Sequence, residues 1–151
     1  MNSAPQSDSS DADADPALAS TSPPPVATLF EIIGGADALR ALVDRFYDLM
    51  DLEPEFASLR SLHPGTMDGS RDKLTWFLSG WTGGPNLYVE RHGHPRLRAR
   101  HLPYAIGTPE RDQWLRCMAW AMQDLGMPRE LKERLLLSFY ETADWMRNKA
   151  D

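Results

Sequence analysis

The segment from Gly93 to Trp114 reads GHPRLRARHLPYAIGTPERDQW, and its first two prolines, Pro95 and Pro103, set the limits of a short helix. Pro95 can open a helix and Pro103 must end it, because proline fits the first helical turn and blocks continuation further in. This leaves a helix of about two turns, with His101 in the last turn. Its imidazole has little freedom and can project toward whatever lies beneath, which suits a single metal ligand. A lone histidine is more often a surface or capping residue, so this interpretation needs support from elsewhere in the chain.

Composition and charge restrict the classes of function. The chain has 151 residues and an apolar fraction of 42%, which is enough for one domain with a packed core. Its net charge is -6, and much of it comes from aspartates near the N-terminus, where lysine and arginine are absent. Nucleic acid and anionic membranes are not expected as partners, since both require a clustered basic face. Arg96, Arg98 and Arg100 form the densest basic group, which a short helix would spread around itself and which favours a small anionic group.

Cysteine usage and hydropathy indicate the compartment. Cys117 is the single cysteine, which excludes an intrachain disulfide and a cysteine-rich metal site. The sequence contains no apolar window long enough for a membrane span and no basic, apolar leader typical of a signal peptide. We therefore expect a soluble, cytoplasmic protein in which Cys117 is an unreactive core thiol.

The N-terminal segment 1–26 differs in composition from the rest of the chain. It consists mainly of Ser, Asp, Ala and Pro and ends in Pro23-Pro24-Pro25. Such a segment lacks the apolar surface needed to offset the entropy that is lost on ordering. The sequence thus predicts a disordered, acidic and proline-rich tail over 1–26 and one folded domain over 27–151.

The first half of this domain carries helix signals. Thr28 to Glu31 form a capping box, and Gly34-Gly35 end that short helix. The spacing of apolar residues predicts helices over 36–51, 54–62 and 68–81. The breaks that follow are rich in proline and glycine, namely His63-Pro64-Gly65 and Gly83-Gly84-Pro85. Residues 86–93 have no clear period, and a strand there is rejected because no second strand could pair with it.

The second half continues the helical pattern. Residues 108–110, Thr-Pro-Glu, form a strong helix start, with Thr108 as the N-cap and an acid near the positive helix end. We expect this helix to run to Leu125, with a buried stripe made of Trp114, Leu115, Met118, Met122 and Leu125. A last helix is predicted from Pro128 to about Asn148. The sequence therefore predicts an all-α fold.

Three kinds of site receive little support. A zinc site from His92, His94 and His101 has no regular frame, and no Cys or Asp completes its ligand set. A hydrolase is weaker still, because no serine lies in a Gly-x-Ser-x-Gly elbow. The glycine pairs at 34–35 and 83–84 lack the preceding strand and the following lysine of phosphate-binding loops.

A haem pocket explains several features together. Haem is commonly held by a histidine ligand, and the polarity of the opposite side of the pocket decides what its iron does. His101 on its short helix supplies such a ligand, while Tyr47 and Trp114 are polar aromatic residues on buried helix faces. Each aromatic residue alone is explained as well by core packing with its polar tip on a backbone carbonyl. The combination in an all-helical chain favours the haem pocket.

Several ordered blocks of sequence also match a known family. They are Gly34-Gly35, Phe46-Tyr47, Gly83-Gly84-Pro85, Gly93-His94-Pro95 and the runs 96–101 and 110–118. With these blocks the chain resembles the truncated haemoglobins, in particular the second group, over about four-fifths of its length. The resemblance implies a two-over-two helical sandwich around haem b, iron protoporphyrin IX. The acidic tail has no counterpart in the family pattern.

The resemblance also implies roles for particular residues. His101 matches the proximal iron ligand. Tyr47, Trp114 and His63 match polar distal positions, where relatives often carry tyrosine or phenylalanine in place of His63. Five further positions match haem contacts: Ser70 and Leu74 facing the ligand, Phe77 on the macrocycle, and Lys73 and Arg100 near the propionates.

The resemblance implies binding of O2, NO and similar diatomic ligands at a five-coordinate iron. Tyr47 and Trp114 would donate hydrogen bonds to a partly negative ligand, which favours retention of the ligand over its release. We therefore expect redox chemistry on O2, NO or peroxide, as in a nitric oxide dioxygenase or a peroxidase supplied by an external reductase. Oxygen storage or transport, a haem-based sensor and a helical module without cofactor stay open, as does a homodimer.

Overall fold

The computed structural model describes residues 27–150, so the tail predicted over 1–26 lies outside the described residues. Within that range every regular element is helical, which confirms the all-α prediction. The elements are α1 (Leu29–Ile33), α2 (Gly35–Leu52), a 3-10 turn (Pro54–Phe56), α3 (Ala57–Ser61), α4 (Asp68–Trp81), α5 (Leu87–His92), α6 (Leu97–His101), α7 (Thr108–Asp124) and α8 (Arg129–Trp145). None of these helices combines the length and the apolar character that a membrane span requires.

The N-terminal cap forms as the sequence predicts. Thr28 Oγ1 accepts the Glu31 N–H at 3.2 Å, and Glu31 Oε1 accepts the Thr28 N–H at 2.9 Å. Gly34 ends α1 with a φ of 120°, a conformation that side chains with a Cβ rarely adopt. The Phe30 N–H donates to the Thr82 carbonyl at 2.9 Å, which ties α1 to the end of α4.

Two pairs of long helices form the body of the fold. α2 packs on α4, α7 packs on α8, and α2 and α7 join the two pairs. The side chains with at most 1% of their surface exposed lie between these helices: Leu39, Leu42, Val43, Phe46, Leu49, Met50, Phe56, Leu78, Cys117, Met118, Ala121, Met122 and Leu135. Burial of each large apolar side chain contributes about 1.5–3 kcal/mol, so this core supplies a firm scaffold.

Ion pairs connect α2 with α4 beside the core. The Arg71 guanidinium, on α4, lies 3.1 Å from Asp44 Oδ1 and 2.8 Å from Asp48 Oδ1, both on α2. It also donates to the Asp44 carbonyl at 3.0 Å and lies 5.8 Å from the centre of the Tyr47 ring. Because the Arg71 side chain is only 19% exposed, these contacts are partly shielded from solvent. They hold α2 and α4 together next to Tyr47.

Residues 86–93 show no clear period in the sequence and a strand is rejected there; the structure confirms that no strand forms and shows helix α5 over residues 87–92. This helix has six residues, too few for a 3.6-residue period to appear in the sequence. Its buried residue is Tyr88, 7% exposed, and α5 packs against α4. Tertiary packing therefore selects a helix that the local sequence leaves undecided.

Two details of α7 also differ from prediction. Gly107, and not Thr108, is the N-cap, and its N–H donates to Glu110 Oε1 at 2.9 Å. Leu125 was expected in the buried stripe but is 46% exposed. It caps the C-terminal end of α7, where the chain turns toward Gly126 and leaves the periodic face.

Candidate functional site

One cavity of about 480 Å³ opens between the helices. This volume lies within the roughly 300–1,000 Å³ range of small-molecule and cofactor sites. The structure brings all nine residues of the predicted site into its lining: Tyr47, His63, Ser70, Lys73, Leu74, Phe77, Arg100, His101 and Trp114. Residues that lie far apart in the chain therefore line one cavity.

His101 forms part of this lining from the C-terminal end of α6. Its Nδ1 lies 2.7 Å from the Leu97 carbonyl oxygen, one turn earlier in the same helix. A carbonyl can only accept, so Nδ1 carries the hydrogen and donates it. In the neutral ring, Nε2 then keeps its lone pair. This is the tautomer that a metal-binding histidine requires, with the other ring nitrogen oriented by a backbone carbonyl.

Tyr47 contributes a hydroxyl group to the same cavity. It lies on α2, is 5% exposed, and packs edge-on against Phe46 with the ring centres 5.0 Å apart. Burial raises the pKa of Tyr47 well above its ordinary value, so the phenol keeps its proton at neutral pH. Among residues 27–150 the hydroxyl has no hydrogen-bond partner, which leaves it free to bond a guest in the cavity.

Trp114 adds a second donor. Its ring packs between Phe46, at 5.1 Å, and Phe139, at 5.4 Å between ring centres, which fixes its orientation. The indole N–H can donate but cannot accept. No acceptor for it is found within the described part of the chain. Tyr47 and Trp114 thus place two available donors in one cavity.

His63 lies at the corner after α3 and, unlike Tyr47 and Trp114, offers the cavity a hydrogen-bond acceptor. Its Nδ1 donates to the Leu59 carbonyl at 3.0 Å, and its ring centre lies 5.8 Å from that of Tyr47. Burial lowers the pKa of His63, the Leu59 carbonyl opposes this effect, and the positive charges of Arg60 and His101 lower the pKa further. The ring is therefore neutral near pH 7 and presents Nε2 as an acceptor.

Apolar and aromatic side chains form the remaining walls. Leu74 and Phe77 come from α4, and Ser70 lies one turn before Leu74. The Phe77 ring meets Tyr88 edge-on with centres 6.5 Å apart. Sequence reasoning missed Tyr88 because its segment showed no helical period, although an aromatic residue flanked by apolar neighbours was a signal of burial. These walls suit a flat, largely apolar guest.

Lys73 and Arg100 bring positive charge to the cavity. Within residues 27–150 neither forms an ion pair with a carboxylate. Arg100 Nε donates to the Pro95 carbonyl at 2.8 Å, and its guanidinium lies 5.8 Å from the centre of the Tyr88 ring. Cations without a carboxylate partner beside an apolar cavity suit a guest that carries acidic groups at its edge.

The donor set fits a haem. A lone-pair nitrogen on His101, apolar walls, and two uncompensated cations match the iron, the macrocycle and the propionates of that group. Among the described residues, no group of three or more His, Cys, Asp or Glu side chains is placed to hold a metal ion. His92 instead packs on Trp76 and Tyr88, and His94 Nδ1 accepts the Arg96 N–H at 3.0 Å.

Cys117 lies outside the cavity, in the core. Its side chain is fully buried, and the thiol donates to the Phe46 carbonyl at 3.2 Å. Burial raises the pKa of Cys117 to about 12, so it stays a thiol at neutral pH. The prediction that Cys117 is a core thiol is confirmed.

Fold and cavity together have the form of a two-over-two globin, and comparisons with known proteins agree. The family model described as bacterial-like globin matches residues 28–148. A group 2 truncated hemoglobin of Bacillus subtilis is 39% identical over 117 residues, which cover 78% of this chain and 86% of that protein.

Solved structures extend the agreement to three dimensions. The group II 2-on-2 hemoglobin of Agrobacterium tumefaciens is 43% identical, with a TM-score of 0.81 over 85% of this chain and 100% of its own. The truncated oxygen-avid haemoglobin of Bacillus subtilis is 38% identical, with a TM-score of 0.74 over 81% of this chain and 100% of its own. The chain belongs to the bacterial-like globin family, within the group II truncated haemoglobins. Haem-based binding of diatomic gases such as O2 is the shared property of globins.

Proposed function

We propose that this protein binds haem b through His101 and retains a diatomic ligand with Tyr47 and Trp114, for redox chemistry on O2, NO or peroxide. The observation that carries the proposal is that two hydrogen-bond donors, the Tyr47 hydroxyl and the Trp114 indole N–H, lack an acceptor in the described chain and belong to residues of the cavity that His101 lines. Polar groups inside folded proteins are nearly always paired, so donors left open toward a cavity are available to a bound guest.

The cavity divides the tasks of holding the cofactor among its residues. His101 Nε2 would bind the iron, Lys73 and Arg100 would bind the propionates, and Leu74 and Phe77 would pack on the ring. When bound, haem supplies an iron with an open coordination position for a diatomic ligand. Ser70 adds a small polar group to the same lining.

Tyr47 and Trp114 determine how firmly a ligand is held. Each donor contributes about 1.5–3 kcal/mol when its acceptor carries charge, so the pair slows ligand loss by a factor on the order of 10² to 10⁴. Trp114 sets the direction, because indole only donates, whereas the Tyr47 hydroxyl also accepts and adapts. The B. subtilis structure described as oxygen-avid, 38% identical to this chain, is consistent with such retention.

Firm retention favours redox chemistry over delivery. A carrier must release its ligand, whereas an enzyme gains from donors that are fixed in advance and aimed at developing negative charge. His63, neutral and offering an acceptor at Nε2, can take a proton from a group held near Tyr47. Electrons for turnover would come from an external reductant, so a reductase is the expected partner.

Spectra of the purified protein with added haemin test the proposal. We expect a Soret band and a five-coordinate ferrous spectrum in the wild type. His101→Ala should lose stable haem, because His63, the other histidine of the lining, lies beside Tyr47 and not on α6. His92→Ala is the matched control, since His92 packs on the surface beside Trp76 and is absent from the lining. A normal five-coordinate ferrous spectrum in His101→Ala would refute the ligand assignment. Nitric oxide turnover with a reductase present then separates an enzyme from a storage protein.

A further inference from the structure

Helix α6 carries His101, but the helix has few internal features that would fix its position. It has five residues, and none of them is buried. Its N-cap, Arg96, has a φ of 48° and makes no side-chain cap hydrogen bond. A helix this short is not stable by itself, because one turn costs more entropy than its hydrogen bonds return. Contacts from elsewhere in the chain must therefore fix its position.

Asn148, just beyond α8, makes such contacts with its side chain. Its Nδ2 donates to the His101 carbonyl at 3.2 Å and to the Tyr104 carbonyl at 2.8 Å. Its Oδ1 accepts the Ile106 N–H at 3.0 Å. One side chain thus spans the whole loop that leads from α6 to α7, and one of its bonds reaches the backbone of His101 itself.

Neighbouring residues of the same segment complete the attachment. The backbone N–H groups of Asn148 and Lys149 both donate to the Ile106 carbonyl, at 2.8 and 3.1 Å. From α6, the Arg98 guanidinium donates to the carbonyls of Trp145 and Arg147 and lies 5.1 Å from the Trp145 ring centre. We call residues 145–149 the C-terminal latch.

We propose that the C-terminal latch positions the iron ligand, with Asn148 as its principal residue. The Leu97 carbonyl orients the His101 ring, and Asn148 holds the His101 backbone, so both ends of the residue are constrained. Without Asn148, α6 can shift relative to the cavity while the His101 ring keeps its internal bond. The inference rests on the proposed ligation of iron by His101, and it assigns no direct contact with haem to Asn148.

Three variants of the full chain test the latch. Asn148→Ala removes all three side-chain bonds. Asn148→Asp keeps the acceptor for Ile106 but places an oxygen against the His101 and Tyr104 carbonyls, so it disturbs α6 selectively. Lys149→Ala is the matched control, because only its backbone N–H takes part in the latch.

The readouts are haem transfer to excess apomyoglobin and the iron–histidine stretching band in the resonance Raman spectrum of the ferrous protein. We expect both Asn148 variants to lose haem on the order of 10-fold faster than wild type, and the band to shift or broaden. Lys149→Ala should match wild type in both. Hydrogen exchange of segment 102–107 should accelerate in the Asn148 variants alone.

The outcomes separate this inference from the proposed function. A purely structural role for Asn148 would lower the melting temperature and leave the iron–histidine band unchanged, and that result would overturn the inference. An unchanged rate of haem loss in Asn148→Asp would also overturn it. Retention of the five-coordinate spectrum in His101→Ala would instead overturn the ligation on which the inference rests.

Discussion

At the scale of single residues, the cavity is defined by which polar atoms already have partners. The rings of His101 and His63 each donate from Nδ1 to a carbonyl four residues earlier, so each keeps Nε2 as an acceptor. Tyr47 and Trp114 bring donors that have no acceptor in the described chain. The cavity therefore has separate acceptors and donors, and each can be altered by one substitution.

Removal of either donor should speed ligand loss. Trp114→Phe and Tyr47→Phe each delete one hydrogen bond, and we expect O2 dissociation to accelerate on the order of 10- to 100-fold in each. Stopped-flow measurement of O2 dissociation checks this. Trp120→Phe and Tyr140→Phe are matched controls, because neither residue lines the cavity. Unchanged rates in both cavity variants would remove the donor argument.

His63 should make stability depend on pH on the acid side. Because burial lowers the pKa of His63, the unfolded chain binds a proton at a pH where the folded chain does not. The free energy of unfolding should therefore fall as the pH drops below about 6.5 and level off once the pH passes below the folded-state pKa. Urea unfolding at several pH values measures this. His63→Phe should flatten the profile in that window, and equal slopes in both proteins would contradict the prediction.

At the scale of elements, close junctions between helices position the cavity walls. The end of α4 and the start of α5 are joined by a turn that touches α1. A Cβ built on Gly84 would lie 2.5 Å from the Phe30 ring, so only glycine allows this approach. α1 is thereby held against the helix that carries Lys73, Leu74 and Phe77.

Gly84→Ala should destabilise the protein. The added methyl group forces Phe30 or the turn to move, and overpacking of this kind costs about 1–3 kcal/mol. Thermal unfolding measures the effect as a lower melting temperature. Gly69→Ala, in α4, is the control, because a Cβ there meets nothing within 4 Å and alanine favours a helix. Equal melting temperatures for Gly84→Ala and wild type would show that the junction is looser than the structure indicates.

At the scale of the whole molecule, the cavity draws on nearly every helix. Its lining includes residues of α2 to α8, so a bound haem would contact elements from both helix pairs. A guest that binds the folded chain alone stabilises it by about 4 kcal/mol at a thousandfold excess over its dissociation constant. Cofactor binding and global stability are therefore coupled.

Haem should raise the melting temperature of the whole domain. For a domain of this size we expect an increase of at least about 10 °C between the haem-free and loaded protein. Calorimetry of both forms measures the change. His101→Ala should lose most of it, because the variant removes the proposed bond to the iron. An identical melting temperature with and without haem would contradict a cofactor held by several helices.

Elements and site were predictable to different degrees. Helix α4 was predicted with its observed bounds, and the capping box at Thr28 forms as expected, because caps and periodicity depend on near neighbours. α5 was not predicted, since its six residues fold through packing on α4. The set of site residues followed from the family resemblance, and their roles toward haem stay predictions.

The sequence by itself determined the helical class and most helix ends, together with the residue types available for chemistry. These properties follow from interactions within about one helical turn. Only the tertiary structure decided that Tyr47, Trp114 and His101 line one space, that two donors stay without acceptors, and that Asn148 reaches the backbone of His101. The physical reason is that these outcomes depend on how residues distant from one another in the chain pack together, which no local pattern records.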